Sequence, residues 1–574
     1  MPYAARVTTR RTRLFALATL AAGACLLWLR VPAPLALAPV QGQPRLWRGA
    51  YHVHTTRSDG SGSPDDVAAA AADVGLDFVI LTDHGDATRH PEPPRVVDGV
   101  LLIDAVEIST DDGHYVALDL PQAPYPLAGE GRAVADDVRR LGGLGILAHP
   151  DSPRPALAWH DPTVDADGFE WVNADSTWRS APVGSLLARL VAYPLNAPGA
   201  LTVLAHYPAA LIAEHDAPAR RPPLALAAVD AHARIGWKRE ADPADGGRTL
   251  AAFPSYAASF GTFGLVVPWL DGAPTGDAAR DARVVLDAIR HRLAYTAVFG
   301  LADAPWLSME LTEPQDSAEP GPDARGPATL DLRTNAPTGA IVRVLRNGSP
   351  WREFSTRDTR VPLPPDEGPT LYRAEVWHVR AGRWPALPVA IGAVRGHNLA
   401  DLASLATVQG SGPADTTAGA MPLALRGWHG EHDPNSRVDV DTIDAGVVVA
   451  ADLTLAPGAR RSQFAALVGD LAAPPPSASA LELDVTASGP MRLSVQVREP
   501  RPGEGLRWRH SAYLDGTRRR VRLPLADFRP IRPATGRPPL DRLHALLLVM
   551  DTVNARPGEA RTITVHAARW TRDR

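Results

Sequence analysis

The sequence predicts an α/β domain followed by two all-β domains. From Trp47 to about residue 300, short apolar strands alternate with helical stretches, which is the pattern of repeated βα units. After about residue 303 the helical pattern stops, and short alternating strands are separated by Gly, Pro, Asn and Asp turns. We therefore expect a distorted (βα) barrel with fewer than the usual eight units, and then two β-sandwich-like domains.

The N-terminal residues 1–45 are expected to be a signal anchor and a Pro-rich tether. Basic residues precede the apolar stretch at 14–29, and residues 31–44 read VPAPLALAPVQGQP. A basic region before a short apolar segment is typical of a secretory signal or a signal anchor. A retained anchor is the first expectation and a cleaved signal the second. Positive charge on the N-terminal side predicts an extracytoplasmic protein, on the periplasmic side of a bacterial inner membrane or secreted.

Residues 46–302 are expected to form the barrel. Ser63 before Pro64 is a suitable helix N-cap, and Gly75 is a suitable residue to end that helix. The strands that follow are DFVILTDH, LLIDAVEIS and HYVALDL; next come the helix AVADDVRRLGG and the strands LGILAHP, FEWVNAD and LALAAVDAH. The helix DAARDARVVLDAIRHR and the strand AYTAVF complete the pattern.

Two β domains are expected after the barrel. Residues 303–400 contain alternating strands such as ATLDLRTNAP and GAIVRVLRNG, which predict a small β-sandwich. Residues 401–574 contain ALELDVTAS, MRLSVQVRE and RTITVHAARW without helices between them, which predicts a jelly-roll-like domain.

Composition narrows the chemistry. The 574 residues are 45% hydrophobic and 21% charged, and the net charge of −5 gives no support for a nucleic-acid partner. Cys25 is the only cysteine, so neither an intramolecular disulfide nor a cysteine zinc site can form. Any metal must therefore be held by His, Asp and Glu.

Nine candidate ligands stand out among these residue types between positions 52 and 232, most of them where a predicted strand ends. They are His52, His54, Asp59, His84, Glu107, His114, His149, Asp230 and His232. Imidazole and carboxylate groups bind Zn, Mn or Fe and leave positions open for water. Nine groups are too many for one ion, so we expect two or three divalent ions bridged by a carboxylate. Such a centre activates water and needs no serine or cysteine nucleophile.

Other residues are candidates for orienting groups or substrate contacts. Asp83 could orient the neighbouring imidazole, and Asn173 follows a strand on the same side. The arginines that could bind an anionic oxygen are Arg57, Arg154 and Arg179, although a surface ion pair is the commoner role of arginine. The tryptophans that either line a substrate wall or fill the core are Trp159, Trp171 and Trp178.

The motifs HxHTxxSDG, TDH, AHP and DxH, with a strand-borne glutamate in EIST, occur here in that order over residues 48–300. This order resembles the polymerase and histidinol phosphatase (PHP) superfamily of metallohydrolases. EIST followed by GHYVALDL looks most like its stand-alone branch, which includes carbaryl-hydrolase-like enzymes and nucleotide phosphatases. The resemblance implies a barrel of the PHP type and a first ion held by His52, His54, Glu107 and Asp230. It implies a second ion held by Glu107, His114 and His149, and a third held by Asp59, His84 and His232. The residues it makes catalytic candidates are His52, Glu107 and Asp230.

Three functions stay open from the sequence. The first is a metal-dependent hydrolase of small-molecule phosphoesters, which the three-ion set and the arginines favour. The second is a carbamate or carboxyl ester hydrolase of the carbaryl-hydrolase-like type. The third is an extracytoplasmic ligand-binding protein with a non-catalytic barrel, whose C-terminal β domain binds a carbohydrate or surface ligand. A proofreading role in a polymerase is disfavoured by the export signal and the acidic balance.

Overall fold

The computed structural model describes residues 34–572, apart from 218–221, 238–247, 270–273, 313–327, 338, 365–367, 379–386, 393–394, 398–420, 444–447, 460–461, 475–476 and 502–504. The expected signal anchor falls in residues 1–33 and so lies outside the described residues. Within the described chain, no helix combines the length and the apolar character that a membrane crossing requires. The molecule is a mixed α/β protein in which strands predominate and form several sheets.

The first unit contains most of the helices. Its first elements are β1 (Leu35–Ala36), β2 (Arg45–Val53), α1 (Pro64–Asp73), β3 (Phe78–Leu81), β4 (Arg95–Val97), β5 (Val100–Asp104), β6 (Val106–Thr110), β7 (Gly113–Leu118), α2 (Gly131–Arg140), β8 (Leu144–Leu147) and β9 (Gly168–Asn173). The unit continues with α3 (Ala174–Ser180), α4 (Val183–Ala192), α5 (Ala197–Thr202), α6 (Ala209–His215), β10 (Leu224–Ala228), β11 (Ile235–Trp237), β12 (Arg248–Ala251), α7 (Tyr256–Phe260), β13 (Gly264–Trp269), α8 (Ala278–Arg290) and β14 (Tyr295–Ala297).

Two sheets of the first unit meet edge to edge. One has the order β10-β9-β8-β7-β6, and the other contains β14-β13-β2-β3-β5-β4. Glu107 in β6 bridges to His84 just after β3, and Ala231 just after β10 bridges to Val53 at the end of β2. These two bridges link β2, β3, β6, β7, β8, β9 and β10 edge to edge. The strand ends that carry the metal-ligand candidates are therefore brought together.

The strand directions differ in part from the repeated βα pattern. β7 runs antiparallel to both β6 and β8, whereas β8, β9 and β10 are parallel. Only two residues separate β6 from β7, and a turn this short can join only antiparallel strands, since a parallel pair needs a long crossover. The chain between β9 and β10 forms four short helices, α3 to α6, which the sequence pattern had not indicated.

Helix α1 begins where the sequence predicts. The Ser63 side chain accepts a hydrogen bond from the Asp66 backbone, and the Asp66 carboxylate accepts one from the Ser63 backbone, which is a complete capping box. Pro64 occupies the first turn, and Gly75 has the positive φ of 69° that ends many helices. The loop that precedes this helix, residues 54–63, is thereby fixed at its far end.

The second unit consists of strands: β15 (Ala302–Asp303), β16 (Leu307–Thr312), β17 (Thr329–Thr334), β18 (Ala340–Arg346), β19 (Ser349–Phe354), β20 (Asp358–Pro362), β21 (Thr370–His378), β22 (Ala390–Ile391) and β23 (Arg395–His397). β16, β17 and β20 form one sheet, whereas β19, β18, β21 and β22 continue the sheet of the first unit through the β14–β22 pair. The expected boundary at residues 302/303 falls inside β15, and one apolar cluster spans both units.

The third unit is made of β24 (Met421–Pro422), β25 (Leu425–His432), β26 (Arg437–Ile443), β27 (Val448–Thr454), β28 (Phe464–Leu471), β29 (Ala480–Ala487), β30 (Met491–Glu499), β31 (Leu506–Leu514), β32 (Arg519–Pro524), β33 (Arg529–Ile531), β34 (Ala545–Asp551) and β35 (Ala560–Thr571), with two short 3-10 helices at Leu525–Asp527 and Leu540–Arg542. β26, β27, β35, β29, β32 and β24 form one antiparallel sheet, and β25, β28, β34, β30, β31 and β33 form the other. Both sheets contribute to one apolar cluster that includes Leu483 and Leu493.

The described part of the expected tether lies against the first unit. Leu35 and Ala36 pair in parallel with β15, and the Leu35 backbone N–H donates to the carbonyl of Leu301 at 2.8 Å. Leu37 and Val40 are half-buried and pack against the main apolar cluster. The physical reason is that these aliphatic side chains gain by leaving water, which the Pro-rich composition does not prevent.

Candidate metal centre

All nine ligand candidates lie where the two sheets of the first unit meet. Glu107 is in β6 and His114 in β7, whereas the others lie at or just after the ends of β2, β3, β8 and β10, or in the 54–63 loop. The backbone is left-handed at His52 (φ 66°), His149 (φ 30°) and Asp230 (φ 43°). Non-glycine residues rarely adopt this conformation, and such positions cluster at functional sites.

Glu107 lies at the middle of the set and is 1% exposed. Its Oε2 atom is 3.2 Å from Nε2 of His52, 3.2 Å from Nε2 of His54 and 3.2 Å from Nδ1 of His84. Its Oε1 atom faces the other side of the centre. That oxygen is 2.8 Å from Nδ1 of His114 and 3.0 Å from Nε2 of His149. One carboxylate therefore contacts five imidazoles, as expected for a group that bridges two cations.

The two aspartates extend the set on either side of His54. Asp230 Oδ1 is 3.3 Å from Nε2 of His54 and 3.5 Å from Nε2 of His52. Asp59 Oδ1 is 3.2 Å from Nε2 of His232 and 3.7 Å from Nε2 of His84. The His54 and His232 rings stack with centroids 4.1 Å apart. All nine side chains thus belong to one continuous cluster.

Four of the six rings have their Nδ1 atom beside a hydrogen-bond acceptor other than the carboxylates of Asp59, Glu107 and Asp230. The pairs are His52 with Glu170 Oε1 (2.5 Å), His54 with Ser58 Oγ (3.4 Å), His149 with the Leu157 carbonyl (3.2 Å) and His232 with the Asp230 carbonyl (3.0 Å). Such partners keep the ring proton on Nδ1 and leave the Nε2 lone pair free. In all four rings Nε2 then points at a carboxylate oxygen of Glu107, Asp230 or Asp59.

Lone pairs that face carboxylate oxygens repel one another unless a positive charge lies between them. The Nδ1 atom of His84 adds to this argument, because it is buried without a hydrogen bond among the described residues, 3.2 Å from Glu107. Imidazole nitrogens and carboxylate oxygens are the donors that Zn, Mn and Fe take. The donor set therefore fits divalent cations.

The pKa values reflect the same convergence. Burial disfavours the charged form of His54, but its hydrogen bonds to Asp230 and Glu107 outweigh burial and raise the pKa to about 10. At His149, burial is likewise outweighed by Glu107, and the pKa rises to about 9. Burial lowers the pKa of His84 to about 4 despite the nearby Glu107. The pKa of Asp59 is well below its usual range, because His232 outweighs the effect of burial. A positive charge at this centre, as proton or cation, is thus strongly favoured.

The ligand groups overlap more than the three-ion assignment implies. His54 joins Asp59, His84 and His232, the expected third set. The other groups are His52 with His54 and Glu107, His52 with His149 and Asp230, and His84 with Glu107 and His114. Each group has its ligand atoms within 4.8 Å of one another. Four ligands, His52, His54, His84 and Glu107, thus belong to two groups each.

Asp83 and Asn173 organise the backbone around the ligands. Asp83 accepts hydrogen bonds from the Thr55 backbone (2.7 Å), the Thr55 hydroxyl (2.8 Å) and the Ser58 hydroxyl (2.6 Å). Ser58 in turn contacts the ring of His54, so Asp83 acts on that ligand indirectly. Among the described contacts, Asp83 has no direct hydrogen bond to the ring of His84. Asn173 caps α3 by accepting from the Ser176 backbone at 3.0 Å. Its amide also donates to Glu170 at 2.9 Å.

The three candidate arginines differ in position. Arg154 is exposed in the loop after His149. Arg57 pairs with Asp104 at 3.2 Å and with Glu92. Arg179 pairs with Asp175 on α3 and faces the charges of Asp230 and Asp59. Of the tryptophans, Trp171 is buried in the core, Trp159 donates to the Asp161 carbonyl at 2.7 Å, and Trp178 lies half-buried beside Asp230 and His232.

Sequence reasoning missed Glu170 and Arg234. Glu170 is buried in β9 and accepts hydrogen bonds from Nδ1 of His52 (2.5 Å) and from the His149 backbone (2.7 Å). A carboxylate inside the otherwise apolar strand GFEWVN is the signal that could have identified it, because buried carboxylates need partners. Arg234 lies two residues after His232, the last ligand candidate, and donates to the Asp59 carbonyl at 3.1 Å.

Comparisons with known proteins give only distant likenesses. No protein-family model matches the chain, and no curated protein matches it. A solved two-domain protein from Bacteroides vulgatus, described as containing a predicted PHP-like metal-dependent phosphoesterase, is 14% identical and has a TM-score of 0.26. The match covers 64% of this chain and 99% of that one. A family 11 carbohydrate-binding module from Clostridium thermocellum, in complex with a β-1,3-1,4-mixed-linked tetrasaccharide, is 13% identical with a TM-score of 0.22, over 27% of this chain and 96% of its own. TM-scores this low assign neither a fold nor a function to this chain.

Proposed function

We propose that this protein is a metal-dependent hydrolase of the PHP superfamily that acts on phosphoester bonds. The observation that carries the proposal is the inward convergence of six imidazoles and three carboxylates, with the Nδ1 atoms of four rings held by oxygens other than those of the three carboxylates. A hydrogen-bonded core histidine needs no such arrangement, whereas a multinuclear cation site requires it.

The chain's residues would divide the work as follows. His52, His54, Glu107 and Asp230 would hold one cation. Glu107 would also serve a second cation, together with His114 and His149. Asp59, His84 and His232 would hold a third. Two or three divalent ions bound there would lower the pKa of water to near neutral and polarise the ester. Glu170 holds the His52 ring and the backbone of His149, and Asp83 holds the 54–63 loop.

The proposal includes the finer description of the architecture. The seven strands linked by the two bridges would be the distorted (βα) barrel of the PHP type, and the second and third units would be β-sandwiches. An extracytoplasmic, membrane-anchored or secreted location is proposed on the N-terminal sequence. A carbohydrate ligand of the third unit remains a proposal. One face of its second sheet contacts α2 through Arg492, so a ligand would have to use another surface.

A panel of esters tests the reaction class. We expect the purified chain, loaded with manganese or zinc, to hydrolyse p-nitrophenyl phosphate or its bis-ester faster than 1-naphthyl acetate or a naphthyl carbamate. Faster turnover of the acetate or the carbamate would favour the carbaryl-hydrolase-like alternative. Failure on every substrate, with less than one equivalent of metal by mass spectrometry, would favour the non-catalytic binding protein.

Variants test the ligand set. We expect His52→Ala and Asp230→Ala to abolish turnover while the fold survives, because each removes a ligand from the shared centre. His429→Ala is the matched control, since that histidine is exposed in β25 of the third unit. Wild-type turnover in either ligand variant would remove that residue from the mechanism.

A further inference from the structure

Three clefts open beside the candidate metal centre in the described part of the chain, and they differ in chemistry. The first adjoins Asp230 and His232 and is walled by α3, α5 and the α7 segment. The second adjoins His149 and Glu170 and is lined mostly by polar residues. The third adjoins Asp83 and His84. We refer to the first as the α3 cleft.

The arginine side chains of the third cleft already form ion pairs. Arg57 pairs with Asp104 and Glu92, and Arg89 also pairs with Asp104, with a 2.8 Å contact. Both arginines of that cleft are therefore already paired with carboxylates. An anionic substrate would gain little by binding to them. The α3 cleft is different in this respect.

Arg234 supplies the α3 cleft with a guanidinium that is only partly satisfied. Its Nη1 atom donates to the Asp59 carbonyl at 3.1 Å. Its Nη2 atom is buried and finds no hydrogen-bond partner among the residues that the structure describes. Leaving a charged donor unpaired is costly, and Arg234 is only half-buried as a residue, so a shift of its side chain that lets Nη2 donate to an anion in the cleft would be favourable. Asp230 and His232 line the same cleft, which brings this donor and the metal ligands to one place.

Part of the lining of the α3 cleft is apolar. Trp178 on α3, Leu201 on α5 and Pro254 are half-buried at the cleft, and Phe263, which also lines it, is 2% exposed. Val229, which is also almost completely buried, completes this surface. An indole and an aliphatic side chain at a cleft mouth bind a flat apolar group well, because both lose water when it docks.

We infer that the α3 cleft binds the substrate and selects an anionic ester whose leaving group is apolar and about the size of an aromatic ring. This inference rests on the proposed function and adds its substrate class. The anionic phosphoryl oxygen would accept from Arg234, and the leaving group would pack on Trp178 and Leu201. In the hydrolysis, the bond from phosphorus to the leaving oxygen breaks and one from phosphorus to the water oxygen forms. A proton of the water passes to the leaving oxygen, and inorganic phosphate and a phenol or alcohol are released.

Binding of two phosphonates tests the cleft without relying on turnover. With the full chain in detergent and loaded with zinc, calorimetry should give a dissociation constant for phenylphosphonate about tenfold below that for methylphosphonate. Trp178→Ala should reduce this preference to less than about threefold, because the flat surface for the ring is lost. Trp351→Ala, at a half-buried tryptophan in β19 of the second unit, is the matched control and should keep the preference.

The arginine is tested separately from the apolar wall. Arg234→Gln should weaken both phosphonates about tenfold and leave their ratio unchanged, because the charged donor contacts the group that they share. Arg280→Gln, at an exposed arginine of α8, is its control.

Equal affinities of the two phosphonates for the wild type, or an unchanged preference in Trp178→Ala, would overturn the inference even if phosphoesters were hydrolysed. A phosphonate preference without hydrolysis of any ester would keep the cleft and refute the proposed function.

Discussion

Glu170 connects two ligand segments that are far apart in the chain. One carboxylate oxygen accepts from Nδ1 of His52 and the other from the backbone of His149, 118 and 21 residues away. The second oxygen also accepts from the amide of Asn173. Because the His52 ring and the turn at His149 depend on the same buried group, its charge and its geometry both matter to the centre.

We therefore expect Glu170→Gln to weaken metal binding about 10- to 100-fold, the usual effect of removing a partner of a ligand. The amide can still accept at one atom, so circular dichroism should show an intact fold. Competition titration with a zinc-sensitive dye measures the affinity. Glu375→Gln is the control, because Glu375 is equally buried but lies in β21 and bonds Trp377. Wild-type affinity in Glu170→Gln would mean that the carboxylate is only a core group.

Metal binding should release protons at neutral pH. The pKa of His54 is raised to about 10 and that of His149 to about 9, in both cases against the effect of burial and through Glu107 or Asp230. A group whose pKa is raised holds its proton through the neutral range, whereas a metal ligand must be neutral. Affinity should therefore rise with pH until about pH 10.

Calorimetry in buffers of different ionisation enthalpy measures this exchange. At pH 7.5 we expect about three protons to be released per loaded centre, because burial is outweighed at His52 by Glu170, Asp230 and Glu107, which raise the pKa of that ring as well. The number should fall as the pH rises through 9 and 10. A heat of binding that is the same in every buffer at pH 7.5 would contradict the raised pKa values.

At the scale of the element, the 54–63 loop decides where Asp59 lies relative to His54. Asp83 holds the start of this loop through Thr55 and Ser58, and the Ser63 capping box holds its end. Gly60 lies between them with almost no space, since a Cβ atom there would come within 2.3 Å of the His54 carbonyl oxygen. The contact is with backbone, so it cannot be relieved by rotating a side chain.

Gly60→Ala should accordingly shift the loop and weaken the group of Asp59, His84 and His232. We expect at least one metal equivalent to be lost or bound about tenfold more weakly, with a modest loss of stability. Mass spectrometry of the metal content and a titration of the remaining sites measure both. Gly184→Ala in α4 is a matched control, because a Cβ atom there meets nothing within 4 Å. Full loading of Gly60→Ala would show that the loop can adapt.

Elements set by local signals could be predicted from the sequence. Capping residues predict that α1 starts at Ser63 and ends at Gly75. An apolar run predicts the strand that carries Glu107. The nine ligand candidates were recognisable because their residue types recur where strands end. The antiparallel course of β7 was not foreseen, because an apolar run indicates a strand but not its direction.

The roles of other residues depend on distant contacts and could not be read from the sequence. Arg234 looks like any surface arginine until Asp59, 175 residues earlier, is placed beside it. In the sequence, His84 is the obvious partner of Asp83, but in the fold the Asp83 carboxylate accepts hydrogen bonds from the 54–63 loop. The periodicity of apolar residues indicates which face of each segment is buried. It does not indicate which segments contact one another.

At the scale of the whole molecule, arginines of the third unit bind carboxylates of the first. Arg492 of β30 is buried and bonds Asp137 of α2 at 2.9 Å and 3.0 Å, and it also donates to the Ala133 carbonyl at 2.9 Å. A buried pair of this kind costs about 3–5 kcal/mol when one partner is removed, because the other is left unpaired. The two units are therefore held in a fixed relation.

A second arginine links this contact to the metal centre. Arg529 of β33 pairs with both Asp112 and Asp161. Asp112 lies in the β6–β7 turn, two residues before His114, and Asp161 lies in the loop that follows His149. The two first-unit segments also meet directly, since the His160 backbone N–H donates to the Asp112 carbonyl at 2.8 Å. Arg529 thus joins the two segments whose histidines contact the Oε1 atom of Glu107.

Arg529→Gln should loosen these segments without detaching the third unit, because the Arg492–Asp137 pair remains. We expect metal affinity to fall about three- to tenfold, less than for Glu170→Gln, since Arg529 acts on the loops and not on a ligand ring. Dye competition measures the affinity, and limited proteolysis measures whether the third unit stays attached. Arg519→Gln is the control, because Arg519 pairs with Asp515 within the third unit. Identical affinities for Arg529→Gln and Arg519→Gln would confine the third unit to a structural role.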